Sequence, residues 1–188
     1  HNMNRCKELT EHLPKADIVC ADGTDMFGRG TINKSFGGKT AIEIYEHKVY
    51  AAFELMEKLG MQYFCFHDRD IAPEGATLKE TNENLERIVP IIKSEMKRTG
   101  IKLLWGTANC FNHPRYMCGA GTAPSADVFA YAAAQIKKAI EITVELGGQG
   151  YVFWGGREGY DTILNTDMAK EQDNMAYLMR MAVDYGRS

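Results

Sequence analysis

A histidine and two carboxylates stand together in His67-Asp68-Arg69-Asp70, directly after the apolar run Tyr63-Phe64-Cys65-Phe66. A run that short and that apolar, with Pro73 and Gly75 turning the chain away beyond it, reads as a buried strand that delivers polar side chains at its end. In an alternating β/α protein, chemistry is done at the C-terminal ends of the strands. Asp70, three residues past His67, can fold back on one ring nitrogen, fix the tautomer and leave the other nitrogen to move a proton. The same residues also fit a plain loop in which Asp70 caps a turn.

Two further strand ends carry side chains of interest. After Lys102-Leu103-Leu104-Trp105 comes Gly106-Thr107-Ala108-Asn109-Cys110-Phe111. Thr107 and Asn109 offer hydroxyl and amide groups suited to a polyhydroxylated ligand, and Phe111 an apolar wall; a structural turn accounts for Asn and Thr equally well. After Tyr151-Val152-Phe153 comes Trp154-Gly155-Gly156-Arg157-Glu158-Gly159. Its glycines could admit a ligand close to the backbone, but they form neither GxGxxG nor a P-loop. Trp154 fits either a core position or a stacking platform for a sugar face. Arg157 beside Glu158 is more often a structural ion pair than a substrate clamp. Phe27, in the glycine-rich stretch Asp25-Met26-Phe27-Gly28, needs a place to insert, in its own core or in a neighbouring subunit. Cys110, His113 and Cys118 have poor spacing for zinc and lack a fourth ligand.

The elements that must position these groups alternate. Ile42, Tyr45, Val49, Phe53 and Met56 recur at helical spacing and predict a helix from Ala41 to Leu59, ended by Gly60. Met61 to Phe66 is a strand. A second helix runs from Thr77 to Thr99, with Pro90 expected to kink or distort it. Ile101 to Trp105 is the next strand. A third helix, capped by Ser125 or Asp127, reaches Leu146 before Gly147-Gly148 stops it. Gly150 to Trp154 is another strand, and a fourth helix spans about Thr166 to Tyr185. Ala16 to Cys20 is a candidate first strand. Short connections in β-α-β-α-β-α order give an α/β fold of parallel (β/α) units, with about four strands and four helices. A complete eight-fold barrel needs about 250 residues. The chain therefore reads as half of such a barrel or as a smaller open sheet. Such a sheet leaves edges and one apolar face to be covered.

Composition narrows the class. The 188 residues are 45% hydrophobic and carry a formal charge of −3, enough for one sizeable core and against a nucleic-acid binder, which needs a basic face. No apolar run approaches the ~20 residues of a membrane span, and the start lacks a signal peptide's apolar stretch. Five cysteines without CxxC spacing fit a reducing compartment, here the cytoplasm.

Taken together, the strings Phe64–Gly75, Lys102–Phe111, Asp127–Gln135, Tyr151–Tyr160 and Leu164–Met168, with Asp25-Met26-Phe27-Gly28, resemble xylose isomerase, a sugar aldose–ketose isomerase built on a TIM barrel. The resemblance covers roughly residues 22 to 186 and implies a partial TIM barrel over residues 22–188 after a divergent segment 1–21 with a possible first strand. It implies that His67 helps to open the cyclic sugar and that Asp70 orients His67. It also implies that Thr107, Phe111 and Trp154 line the sugar pocket, and that Phe27 completes the site of a neighbouring subunit in a homo-oligomer, a tetramer in that family. The implied substrate is D-xylose, with D-glucose as a second sugar. Two divalent metals (Mg2+, Mn2+ or Co2+) would polarise the sugar oxygens while a hydride moves between the first two carbons.

The sequence departs from the family twice. The family's metal-binding carboxylates, a metal-binding histidine and a catalytic lysine come from the second half of its barrel, which this chain does not contain; no metal ligand is assigned here. The family's Trp-His-Thr-Phe-type first strand is replaced by Ala16-Asp17-Ile18-Val19-Cys20. The expectation is a truncated isomerase, inactive alone. The alternative is a non-catalytic half-barrel stabilised by self-association. A third class, another TIM-like metal enzyme acting on sugar phosphates or DNA, lacks its phosphate clamp here.

Overall fold

The computed structural model describes residues 36–159, 164 and 166–188. The candidate first strand at 16–20 and Phe27 lie outside them.

Helix α1 (Ala41–Lys58) starts where the Thr40 hydroxyl accepts from Glu43 N and the Glu43 carboxylate accepts from Thr40 N, a reciprocal capping box. Strand β1 (Tyr63–His67) follows, and then a single helical turn, α2 (Asp68–Ile71). Helix α3 (Leu78–Thr99) is capped by Thr77 and ends at Gly100, whose φ of 75° suits a residue without a Cβ. Strand β2 (Lys102–Thr107), helix α4 (Ala126–Glu145), strand β3 (Gly150–Tyr151) and helix α5 (Met168–Arg187), capped by Asp167, complete the order. A short 3-10 turn, Pro114–Tyr116, lies between β2 and α4.

The strands form one parallel sheet in the order β1-β2-β3. Phe66 and Leu103 point from the sheet into a core built with Val49, Phe53, Leu85, Ile88, Ile92 and Ile142 from the helices. Each such side chain contributes about 1.5–3 kcal/mol by leaving water. A second core sets Ala132, Ile136, Ala139 and Ile140 of α4 against Leu178 and Ala182 of α5. The register pairs Cys65 with Trp105 and His67 with Thr107. These residues therefore share the sheet face turned away from the helices, where Tyr63 and Cys65 are exposed. Among the described residues, no helix is long and apolar enough to cross a membrane.

The expected α/β class holds, and three parallel strands stand among the described residues. Pro90 stands inside α3, on its solvent side, as the sequence places it. Three details differ from expectation. Asp68–Ile71 is a helical turn rather than loop, because Asp70 reaches back to the His67 backbone N–H at 3.3 Å. β3 ends at Tyr151 instead of Trp154, because its partner β2 ends at Thr107 and Val152 N makes the last ladder bond, to Gly106 O. Ser125 is the N-cap of α4, but its hydroxyl makes no capping bond.

Candidate functional site

The site grows from the end of β1. His67 Nδ1 lies 2.9 Å from Asp70 Oδ2. An ionised carboxylate only accepts, so Nδ1 carries the proton and Nε2 presents a lone pair. The His67 side chain is 22% exposed and that of Asp70 42%, so the imidazole is held yet reachable. Its ring stands edge-on to Phe111, with centroids 5.5 Å apart, and to Trp105 at 6.5 Å. Phe111 meets Trp154 at 4.4 Å. Three strand ends thus bring His67, Phe111 and Trp154 into one aromatic-walled corner.

Beneath the corner lies a buried carboxylate. Asp68 is 1% exposed. Its Oδ1 accepts from Asn109 N at 2.8 Å and Arg69 N at 2.9 Å, and its Oδ2 from Gln135 Nε2 at 2.8 Å. Burial pushes the Asp68 carboxyl above its ordinary range, opposed by the Arg69 charge and the N–H donors. Gln135, on α4, also donates to Asn109 O and accepts from the Tyr116 hydroxyl at 2.7 Å. The Asn109 side chain in turn accepts from Asn112 N at 3.0 Å, shaping the turn that carries Phe111. One network therefore ties the end of β1, the loop after β2 and helix α4.

Thr107, expected to line the pocket, is 1% exposed, and its hydroxyl donates to Val152 O at 2.5 Å, stitching β2 to the segment after β3. The space beside Gly156, read above as room for a ligand, is filled by the chain itself: a Cβ there would run into the Trp154 indole. Glu158 does not pair with Arg157. It accepts from Ala120 N, Gly121 N, Thr122 N and the Thr122 hydroxyl. Phe27 lies outside the described residues.

The described residues do not fit a divalent-metal centre. No three His, Cys, Asp or Glu side chains converge among them, and the acidic groups nearest the corner are already engaged by His67 (Asp70) or by N–H donors (Asp68).

Gln135 was not singled out from the sequence, Asp68 was noted only as one of two carboxylates after the strand, and Glu158 only as a neighbour of Arg157. A signal existed for Gln135: it falls on the same stripe of α4 as Ala132, Ile136 and Ala139, and a buried amide needs partners.

No family model matches this chain. It is 60% identical over 186 residues to a xylose isomerase of Thermotoga neapolitana, 58% over 185 residues to one of Bacillus velezensis, and 56% over 186 residues to one of Thermoanaerobacter pseudethanolicus. In each case 96% of this chain matches and 42% of the relative is covered. The chain thus spans less than half the length of these curated relatives. Among solved structures it is similar to a 3-keto-D-glucoside 4-epimerase of E. coli, at a TM-score of 0.51 and 15% identity, covering 76% of this chain and 47% of that one; that likeness concerns the fold.

Proposed function

Because the chain is a homologue of the xylose isomerases along 96% of its length, we propose that it is the N-terminal part of an aldose–ketose isomerase and carries the ring-opening half of the chemistry. The substrate of the whole enzyme is D-xylose, with D-glucose as a second sugar. The observation that supports this reading is the His67–Asp70 pair at 2.9 Å, facing Phe111 and Trp154 at a strand end. His67 Nε2 takes the proton of the anomeric hydroxyl, the bond from C1 to the ring oxygen breaks, and the imidazolium returns that proton to the ring oxygen as the open aldehyde forms, leaving His67 neutral. Asp70 holds the imidazole in the required tautomer and stabilises the imidazolium. Phe111 and Trp154 form the apolar wall, Thr107 braces the strand end behind them, and Phe27 completes the site of a neighbouring subunit in a homo-oligomer. In the whole enzyme divalent metals would polarise the sugar oxygens for the hydride step; the described residues of this chain do not fit them. The compartment is the cytoplasm.

The test is exchange between the α and β anomers of D-xylose, followed by NMR magnetisation transfer. The chain should accelerate exchange and His67→Asn should abolish the acceleration. No D-xylulose should form with the 188-residue chain alone. Wild-type exchange no faster than buffer would end the ring-opening reading, and metal-dependent xylulose formation would end the division of labour.

A second reading rests on the exposed sheet face. Tyr63 and Leu104 are each 39% exposed and Cys65 is open beside them, so two copies could cover these surfaces in a non-catalytic dimer.

A further inference from the structure

The segment that carries Trp154 ends in a carboxylate which the proposed chemistry leaves unused. Glu158 receives four hydrogen bonds, all from one loop: Ala120 N at 3.1 Å, Gly121 N at 2.9 Å, Thr122 N at 2.9 Å and the Thr122 hydroxyl at 2.6 Å. Three consecutive backbone N–H groups aimed at one carboxylate make a concave anion nest, and an ionised acceptor strengthens each bond. The loop is shaped around that occupant. Gly119 sits at φ 84°, and a Cβ there would come within 2.7 Å of Glu158 Oε2. Gly159 N donates back to the Thr122 hydroxyl at 3.2 Å, closing the other side.

The turn between the two residues is tight. Glu158 N donates to Gly155 O at 3.1 Å, and the Trp154 indole lies folded over Gly156. With one end anchored in the nest, little freedom is left at the other.

We propose that Glu158 is a positioning residue: its carboxylate, seated in the N–H groups of residues 120–122, sets the 154–158 turn so that Trp154 stays against Phe111 beside His67. The seat and the turn are geometric facts; their importance for sugar rests on the reading of the corner as a sugar site. The charge matters as well as the shape. A glutamine would present an NH2 group to a cradle made only of donors, whereas an aspartate keeps the charge one methylene short.

The experiment uses the full chain labelled with 5-fluorotryptophan. Its two tryptophans, Trp105 and Trp154, give two 19F resonances, and Trp154→Phe assigns them. Glu158→Gln and Glu158→Ala should shift or broaden the Trp154 resonance while the Trp105 resonance stays in place, and Glu158→Asp should restore most of the wild-type line. A general loss of structure would move both. If the glutamine variant does not fold, Thr122→Val, which removes one donor and keeps the shape, should move the Trp154 resonance alone. An unmoved Trp154 resonance in Glu158→Gln, or both resonances moving together in Thr122→Val, overturns the proposal. A xylitol titration on the same samples separates the two readings. Glu158→Gln should weaken xylitol binding about tenfold, as misplacement of a wall does. A wild-type chain that ignores xylitol while the resonance still moves defeats the sugar reading and leaves the positioning role standing. Xylitol binding with an unmoved resonance does the reverse.

Discussion

At the scale of single residues, the role proposed for the His67 imidazole depends on a decision about which of its nitrogens is bare. Asp70 makes that decision at 2.9 Å. Replacing it with asparagine keeps the size but lets the ring choose either tautomer. Anomer exchange should then slow roughly 100-fold, within the range for a misassigned general base, with circular dichroism unchanged; exchange at the wild-type rate would show that Asp70 merely caps its turn. Asp68, one residue from His67, has the opposite temperament. Because burial raises its folded value above the 3.8 of a free aspartate, the folded chain holds that proton more tightly than the unfolded one. The stability it contributes is whole below about pH 3.8 and is lost as pH rises through the folded value. Asp68→Asn removes the titration. The unfolding free energy of the wild type minus that of the variant should therefore fall with rising pH across this window, as read from urea melts at stepped pH; a difference that grows with pH would contradict the burial argument.

At the scale of elements, packing across the sheet is close. Gly106 of β2 faces α4 at a point where a Cβ would strike the Thr143 hydroxyl and sit 2.7 Å from the Phe66 ring. Gly106→Ala should cost about 1–3 kcal/mol of stability through overpacking, measured by chemical denaturation, and a neutral result would mean that β2 and α4 slide apart easily. The long helices were legible in the sequence because an apolar stripe at spacings of three and four repeats over many residues, as at Ile42, Val49 and Phe53. The end of β3 was not, because a strand's length depends on where its neighbour stops. Nor was the turn at Asp68–Ile71, which one side chain reaching back to a backbone N–H brings about. Of the site, the residues that stand at strand ends, His67, Phe111 and Trp154, could be read. Glu158 was misread as the partner of Arg157, because its true partners are backbone N–H groups, which every residue but proline carries and no letter announces.

At the scale of the whole molecule, the helices cover one side of the sheet, while Tyr63, Cys65 and Leu104 keep exposure in the described strands. The part of the homologues matched here is 42% of their length. Expressed alone, the 188-residue chain should self-associate, its sedimentation coefficient rising with concentration over the micromolar range. Tyr63→Lys together with Leu104→Lys should return it to a monomer. A compact wild-type monomer at high concentration would count against self-association as the means of covering this face.

Gln135 and Asp68 are 67 positions apart in the chain and 2.8 Å apart in space. The scaffold's outer layer therefore keeps a grip on the inner workings. Substitutions made at Gln135 for the sake of heat tolerance would strip the Asp68 carboxyl of its helix-side donor, and a search for altered pH dependence of folding could begin there.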